Sequence, residues 1–255
     1  MRIALISDIH SNYIAFKAVL DDLKRRNLDE VFFLGDYAFG GSGSAETVDA
    51  LMSFSDLPCI IIKGNKEDYI EPIENNETWI FPEMHAIYNE LGKERIDWLK
   101  NLPSEVIVNR EGKMIRLCHN PSKLKMFVVV DRLHRRNNYP NSESLRQLSM
   151  TMTEDICIFG HYHLFMNETI NDKIFICASS VGLPFNGDSR AQYVIMDITS
   201  HNLSFELCYT GYDHLALIKD FELKNYFEKY NVWSLNTAIS MIFAKNYIGT
   251  QHKGD

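Results

Sequence analysis

Five short apolar runs, each followed at once by Asp, Asn or His, constrain this chain more than any other feature of its sequence. The runs are rich in β-branched and aromatic residues and end at turn residues, which is the pattern of buried β-strands. They occupy residues 3–6, 31–34, 60–63, 114–118 and 156–159. In an open α/β sheet the carboxyl ends of the strands converge on the crevice where ligands bind. We therefore expect the polar side chains that follow the runs to meet.

The side chains that follow these runs are of the types that bind divalent metal ions. They are Asp8, His10, Asp36, Asn65, His119, His161 and His163. A lone buried histidine is usually a hydrogen-bonded core residue, but four of them in register with two Asp and one Asn favour a metal site. Nitrogen and oxygen ligands without thiolate favour Mn²⁺, Fe or Zn²⁺ over a structural zinc site. Two such ions held about 3.5–4 Å apart can clamp both oxygens of a phosphoryl displacement if one carboxylate bridges them.

Helical patterns separate the first three strands. Residues 12–26 and 45–54 are predicted helices, so the β-α-β-α-β order predicts neighbouring parallel strands with right-handed crossovers. Further strands are predicted at 105–109, 165–170, 174–177, 191–198 and 203–209, and further helices at 79–100, 142–152 and 214–244. The pattern is weakest between His119 and Asp155, and long irregular segments are often lids or binding loops.

Composition excludes several classes of protein. The 255 residues can bury a large core, and no apolar run approaches the roughly 20 residues that span a bilayer. The net charge of -8 argues against a nucleic-acid coat, although a nucleotide whose phosphates are held by metal ions is still possible. The chain starts with a strand that leads into a ligand motif, so no signal peptide is expected. The five cysteines are predicted to be free thiols in the cytoplasm.

The order Asp-x-His, Gly-Asp, Gly-Asn, His, Gly-His-x-His resembles that of the calcineurin-like metallophosphoesterases, from Arg2 to about Ile198. The resemblance implies a four-layer α/β/β/α sandwich and two divalent ions, with Mn²⁺ the leading candidate and Fe or Zn²⁺ the alternatives. It implies that the first ion is held by Asp8, His10, Asp36 and His163. It implies that the second is held by Asp36, Asn65, His119 and His161. Asp36 would bridge the two ions, and a hydroxide between them would attack phosphorus in line.

The domain organisation combines the resemblance, which extends to about Ile198, with the sequence pattern of the remaining chain. Residues 1–255 are expected to form a single domain, in which 120–152 is a possible lid segment and 212–247 a helical extension at the C-terminus. The extension contains more large apolar side chains than one helix face needs. It is expected to pack within the chain, and a homodimer is the alternative.

A narrower resemblance rests on Ser7–Asn12, on Gly40-Gly41 and on Ala178–Pro184. These segments look like those of the bacterial phosphodiesterase branch, and in particular of the streptococcal asymmetric diadenosine tetraphosphate hydrolases. The resemblance implies hydrolysis of phosphodiesters, or of the phosphoanhydride of a dinucleoside polyphosphate to ATP and AMP. The expected partner is therefore a small nucleotide or phosphodiester.

Two positions depart from the family pattern. One is Asn120, which follows His119 where Gly is common, and the other is Lys66. The family usually has Gly-Asn-His followed by an acidic residue, whereas this chain has Gly64-Asn65-Lys66-Glu67. Lys66 can supply positive charge to a phosphate but donates a proton poorly unless its pKa is lowered. The catalytic residues are predicted to be Asp36, Asn65, Lys66 and His119, acting on a substrate whose leaving group needs little acid assistance.

Substrate contacts are less constrained by the sequence than the metal ligands. Asn12 is placed either to touch a bound phosphate, as the resemblance implies, or to cap the helix that follows it. Lys66, Arg135 and Arg136 are predicted to contact the phosphates of an entering nucleotide, although a charge run is more often a solvated face. Phe39 could stack on a nucleobase.

Three other functions compete with that of the hydrolase. A non-catalytic scaffold of this fold typically lacks a metal ligand, whereas all seven positions are filled here. A nuclease would need a basic groove, and this chain is acidic. A protein phosphatase would carry the Gly-Asn-His signature that Lys66 interrupts.

Overall fold

Two five-stranded mixed sheets form the centre of the molecule. The computed structural model describes residues 1–121, 126–130, 136–140 and 142–247. The first sheet has the order β12 (Leu203–Thr210), β11 (Ala191–Ile198), β1 (Arg2–Ile6), β2 (Glu30–Phe33) and β3 (Cys59–Ile61). The second has the order β4 (Glu105–Arg110), β5 (Lys113–Cys118), β8 (Ile156–Phe159), β10 (Lys173–Ala178) and β9 (Phe165–Ile170). β1, β2 and β3 are parallel neighbours, which confirms the prediction from their spacing.

Helices cover the outer faces of the sheets and form the C-terminal part of the chain. They are α1 (Tyr13–Leu23), α2 (Ser44–Met52), α3 (Ile70–Glu74), α4 (Pro82–Lys100), α5 (Ser142–Ser149), α6 (His214–Leu223) and α7 (Tyr226–Phe243), with a 3₁₀ turn at Glu67–Tyr69. Among the described residues, no helix combines the length and the apolar character that crossing a bilayer requires.

The alternation of side chains along the strands builds the layers. Successive residues of a strand point to opposite faces, so Ile3 and Leu5 of β1 enter the core between the two sheets. Ala4 and Ile6 point the other way and pack in the core that contains Phe16 of α1. On the second sheet, the outward-facing residues of β8 pack in a separate core with residues of α5. The result is the four-layer α/β/β/α architecture that the family resemblance implied.

The segment between His119 and Asp155 differs from its prediction as largely irregular chain. β6 (Met126–Val130) and β7 (Arg136–Pro140) pair as an antiparallel two-stranded sheet. The β-branched run Val128–Val130 is the strand signal that the prediction did not use. Residues 136–140 are Arg, Asn, Asn, Tyr and Pro, a poor strand sequence, so local pattern alone does not reveal their pairing. That residues 120–152 form a lid stays a prediction.

The C-terminal region is helical, as its pattern predicts, but it is interrupted between α6 and α7 and again at Asn231, whose backbone is non-helical within α7. α6 ends at Leu223, and Asn225 takes the left-handed conformation before α7 begins. A left-handed asparagine just after the C-cap is a common way for a helix to end. The Lys224 ammonium holds the junction in place, because it donates to the Ser42 carbonyl oxygen at 2.9 Å and to Glu46 Oε1 at 2.6 Å. Asn225 is therefore a local sequence signal for the end of α6.

A buried carboxylate on α1 ties this helix to the first sheet. Asp22 accepts hydrogen bonds from the Tyr193 hydroxyl at 2.5 Å, from Arg25 at 3.1 Å and from Arg26 at 3.2 Å. Burial raises the pKa of Asp22, but these hydrogen bonds and the charge of Arg26 outweigh burial and lower it. The ionised form of Asp22 is therefore favoured by folding.

Asp22→Asn is expected to lower the free energy of unfolding at pH 7 by about 2 kcal/mol, because hydrogen bonds to a charged group contribute more than neutral ones. A carboxyl whose pKa is lowered by folding stabilises above its unfolded pKa of about 4, and this contribution is lost as the pH falls through the folded pKa. Urea unfolding at pH 7 and pH 3 measures both effects. Asp21→Asn is the control, since the Asp21 side chain is 51% exposed. Equal losses for the two variants would contradict the prediction.

Candidate metal centre

The two sheets bring their ligand-bearing strand ends to one place. Asp8 and His10 follow β1, Asp36 follows β2 and Asn65 follows β3, all in the first sheet. The remaining ligand candidates come from the second sheet, where His119 follows β5 and both His161 and His163 follow β8. The structure brings all seven candidate ligands together in one centre, in which Asn65 and His161 are half-buried and the other five are buried.

A first group of ligand atoms surrounds one side of this centre. His163 Nε2 lies 3.2 Å from Asp8 Oδ1, and His10 Nε2 lies 3.5 Å from the same oxygen. The two Nε2 atoms of His10 and His163 are 3.1 Å apart. One ion could contact all three side chains, since their ligand atoms lie within 4.8 Å of one another.

A second group occupies the other side. His119 Nε2 lies 3.1 Å from Asn65 Oδ1 and 3.4 Å from Asp36 Oδ2. His161 Nδ1 lies 2.8 Å from the same Asn65 oxygen. Asp8, Asp36 and His119 also have ligand atoms within 4.8 Å of one another.

Asp36 joins the two groups. Its Oδ2 lies 3.6 Å from His10 Nε2 in the first group and 3.4 Å from His119 Nε2 in the second. A single carboxylate oxygen between two sets of ligands is the geometry that a bridging ligand needs.

The oxygen and nitrogen atoms at the centre are placed to bind cations rather than to hydrogen-bond with one another. Asp8 Oδ1 is buried and has no hydrogen-bond partner among the described residues. A buried carboxylate oxygen left in this state is costly, and a cation would remove the cost. The Nδ1 atoms of His119 and His163 lie 2.7 Å from the Leu34 carbonyl oxygen and 2.5 Å from the Leu183 carbonyl oxygen. Imidazoles that donate from Nδ1 to a carbonyl present Nε2 as the ligand atom.

The charges at the centre are arranged to attract cations. Burial raises the pKa of Asp8, but His163 and His119 outweigh burial and hold it well below its usual range. Burial likewise raises the pKa of Asp36, and His119 and His10 outweigh it, so that this carboxyl also stays ionised. Burial lowers the pKa of His161 to about 4, and the neighbouring His119 adds to the shift. His161 is therefore neutral at pH 7, the form in which imidazole binds a metal ion.

Backbone conformation aims these side chains. Five of the seven candidate ligands have left-handed backbone, with φ between 49° and 72°: Asp8, His10, Asp36, His161 and His163. Such residues cost energy and cluster at functional sites. Two glycines give them room, because a Cβ on Gly64 would lie 2.3 Å from Asp36 Oδ1 and one on Gly160 would lie 1.8 Å from Ser7 Oγ.

Glu67 holds the loops of the centre together, and sequence reasoning gave it no role. Its Oε2 accepts hydrogen bonds from the backbone N–H groups of Asp36 at 2.9 Å and of Gly64 at 2.7 Å. Its Oε1 accepts from Tyr37 at 2.9 Å and from Ala38 at 3.2 Å. Burial and the charge of Asp36 raise the pKa of Glu67 to about 7. The sequence signal that could have identified Glu67 is its place at the acidic position of the Gly-Asn-Lys-Glu motif.

The predicted substrate contacts lie in different surroundings. Lys66 donates its backbone N–H to Asp36 Oδ1 at 2.8 Å, and its side chain lines a cavity shared with His10 and His163. The Asn12 side chain caps α1 by accepting from the Ala15 N–H, and its amide donates to the Gly182 carbonyl oxygen. The structure thus shows the cap, while a phosphate contact by Asn12 stays a prediction. Arg135 and the side chain of Arg136 lie outside the described residues.

Comparison with known proteins adds a family match. Residues 1–201 match the family model of the calcineurin-like phosphoesterase superfamily domain. An uncharacterized protein, MJ0912 of Methanocaldococcus jannaschii, is 28% identical over 234 residues, which cover 83% of this chain and 88% of that protein.

Two solved structures share the fold. A hypothetical protein of Pyrococcus horikoshii, PH1004, aligns over 95% of this chain and 98% of its own, with a TM-score of 0.76 and 14% identity. A metallophosphoesterase of Sphaerobacter thermophilus aligns over 96% of this chain and 100% of its own, with a TM-score of 0.71 and 18% identity. Both alignments extend beyond the 201 residues of the family match, so they include part of the C-terminal helical region.

Proposed function

We propose, from the premise that this chain belongs to the calcineurin-like phosphoesterase superfamily, that it is a dinuclear metal-dependent phosphohydrolase. Its substrates would be phosphodiesters or the phosphoanhydride of a dinucleoside polyphosphate. Among these we favour the asymmetric cleavage of diadenosine tetraphosphate to ATP and AMP.

One observation supports the dinuclear centre more than any other. Asp36 Oδ2 lies within 3.6 Å of one ligand from each of the two groups. A mononuclear site does not need a carboxylate oxygen in that position, whereas a pair of ions about 3.5–4 Å apart does.

In this proposal the residues around the metal centre have distinct roles. When bound, two divalent ions supply Lewis acidity at the phosphoryl oxygens and an activated water at neutral pH. Asp36 sets the spacing of the two ligand groups, and Glu67 fixes the Asp36 backbone. The Leu34 and Leu183 carbonyls orient His119 and His163. In this proposal the Lys66 ammonium balances the charge of the entering phosphate.

The narrower choice of substrate rests on Lys66. A lysine in place of histidine is a poor proton donor near pH 7, so departure of a weakly basic group is favoured. The phosphate leaving group of a phosphoanhydride needs less acid assistance than an alkoxide does. This argument, with the resemblance to dinucleotide hydrolases, favours a dinucleoside polyphosphate over a simple alkyl phosphate.

Product analysis by anion-exchange chromatography tests the proposal. Metal-free protein is reloaded with Mn²⁺ and incubated with diadenosine tetraphosphate, in parallel with Asp36→Asn. ATP plus AMP, absent with the variant, is the expected result, whereas ADP alone would mean symmetric cleavage. If only a generic aryl phosphodiester is cleaved, the result would support the metal centre and reject the dinucleoside polyphosphate as the substrate. Inactivity on both substrates despite bound metal would favour the non-catalytic scaffold.

Lys66→His is expected to raise the rate on substrates with poor leaving groups. A histidine near its ordinary pKa can protonate a leaving alkoxide, and general acids contribute about 10²–10⁴-fold when well placed. We expect at least about a tenfold gain in kcat for an alkyl phosphodiester. A p-nitrophenyl phosphodiester should change little, because its leaving group needs no proton. Equal effects on the two substrates would remove the leaving-group explanation for Lys66.

A further inference from the structure

A cavity of about 240 Å³ lies beside the candidate metal centre and is lined on one side by α7. His10 and His163 line it together with Lys66, and Trp233 and Thr237 of α7 line it as well. Pockets that enclose drug-sized ligands usually occupy about 300–1,000 Å³. The cavity therefore suits one ring-sized part of a substrate rather than a whole dinucleotide.

We propose that this cavity is a subsite for a planar aromatic group carried on the substrate phosphate, and that Trp233 of α7 is its specificity-determining wall. The inference rests on the proposed function, because the phosphate is assigned to the neighbouring metal centre. It deepens that function by naming the second chemical group that the enzyme recognises.

Three aromatic side chains contribute to the lining of the cavity. Phe39, Phe185 and Trp233 all contribute to it. The Phe185 ring is stacked on His163, with ring centroids 4.4 Å apart and an interplanar angle of 5°. The ring of Phe185 is thus held parallel to that of a candidate metal ligand. Flat apolar faces of this kind select planar rings, and stacking of a nucleobase on an aromatic side chain contributes about 1–3 kcal/mol.

The charge distribution around the cavity fits a phosphate ester that carries such a ring. Lys66 and the candidate metal ligands His10 and His163 bring the site of phosphate binding to the cavity, while the aromatic side chains and Leu183 make the rest of it largely apolar. A molecule with an anionic group and a flat apolar group matches both parts. An ester of phosphate with an aromatic ring has this chemistry, and nucleotides and aryl phosphates both meet it.

The helix that precedes α7 is bonded to the loop that carries the glycines after Asp36. Ser42 Oγ donates to Asp220 Oδ2 at 2.5 Å, and Lys224 donates to the Ser42 carbonyl oxygen. The Tyr226 and Tyr230 hydroxyls of α7 donate to Glu90 of α4 at 2.8 and 3.0 Å. These bonds fix the part of α7 that precedes the break at Asn231. The Tyr230 ring makes an edge contact with the Trp233 ring, with centroids 6.0 Å apart, so Trp233 is packed against the fixed part and can act as a preformed surface.

The larger cleft nearby does not offer the same chemistry. A cavity of about 470 Å³ is lined by Glu46, Glu90, Lys224 and Lys229, and none of the candidate metal ligands reaches it. Its charged groups are already paired with one another, for example Lys224 with Glu46 at 2.6 Å. This cleft is part of the attachment of α7 rather than a second substrate site.

Binding of ring-bearing and ringless phosphates tests the subsite. Dissociation constants of AMP, ribose 5-phosphate and phenyl phosphate are measured by calorimetry with Mn²⁺-loaded protein. In the wild type, AMP is expected to bind about tenfold more tightly than ribose 5-phosphate. Trp233→Ala should bring that ratio close to one, and Trp233→Phe, which keeps a ring, should restore most of it. AMP should also quench tryptophan fluorescence in the wild type and lose this effect in Trp233→Phe.

Leu235→Ala is the matched control, since Leu235 lies on the same helix, is 49% exposed and does not line the cavity. It should leave the binding ratio unchanged. An unchanged ratio in Trp233→Ala, in protein with a wild-type thermal transition, would overturn the inference. Loss of phenyl phosphate affinity by the same factor as AMP identifies an aryl ring site, and loss for AMP alone identifies a nucleobase site.

The two proposals fail separately. A wild type that hydrolyses no phosphodiester but binds AMP through Trp233 would refute the hydrolase and keep the ring site. A wild type that hydrolyses phosphodiesters but shows no Trp233-dependent preference for AMP would refute the ring site and keep the hydrolase.

Discussion

Asp36→Asn is expected to lower kcat/KM for any cleaved phosphodiester by about 10³-fold, equivalent to about 4 kcal/mol of lost transition-state stabilisation. Asparagine keeps the volume of the side chain and can still accept the Lys66 backbone N–H. It lacks the charge that a ligand shared between two ions must supply. The loss should therefore come from the metal centre rather than from the fold, and metal content should fall from two ions per chain to one or fewer.

Kinetics and elemental analysis on the same dialysed sample measure both parts of this result. Asp56→Asn is the control, because it removes a carboxylate whose side chain is 56% exposed. It should keep full activity and full metal content. A variant at position 36 that holds two ions and retains more than about a tenth of the wild-type rate would contradict the bridging role, since that loss is only about 1.4 kcal/mol.

Glu67→Ala is expected to have the largest effect on stability. It would leave four backbone N–H groups, on Asp36, Tyr37, Ala38 and Gly64, without their acceptor in a buried loop. Each buried donor left unsatisfied costs about 1–3 kcal/mol, so the free energy of unfolding should fall by at least about 4 kcal/mol. Glu67→Gln should lose about half as much, because one oxygen still accepts and the amide nitrogen faces two donors.

Denaturant unfolding of the metal-free proteins measures this effect without a contribution from bound ions. Glu94→Ala serves as the control on the exposed face of α4 and should change stability by less than about 0.5 kcal/mol. If Glu67→Ala proved no more destabilising than Glu94→Ala, the four hydrogen bonds would not support the loops.

The grouping of the candidate metal ligands could be predicted from the sequence because each of them follows a local strand signal. A short apolar run marks a strand, and the polar residue after it marks the strand end, so Asp8, Asp36 and Asn65 were assigned to one sheet edge without any knowledge of the fold. The same local logic predicted the parallel order of β1, β2 and β3. The division of five strand ends between two facing sheets came from the family resemblance rather than from the strand pattern.

The parts that escaped prediction depend on contacts between distant segments. Glu67 accepts hydrogen bonds from the backbone N–H groups of Asp36 and Gly64, and no periodicity in the sequence connects those positions. Trp233 reaches the same cavity as His10 from the opposite end of the chain. The junction between α6 and α7 combines a local signal, the left-handed Asn225, with distant bonds of Lys224 to the loop at Ser42. Local pattern indicates elements and their ends, but it does not show which distant groups an element will contact.

The left-handed backbone at Asp8, His10, Asp36, His161 and His163 places stability and activity in competition at the same positions. Each such residue costs about 1–3 kcal/mol, and in the proposed function this cost is offset when its side chain binds an ion. In a lineage released from selection for hydrolysis, glycine should therefore spread at these five positions before the sheet cores change. Such descendants would be more stable than their ancestor, and the first trace of lost catalysis would be a glycine where a ligand had been.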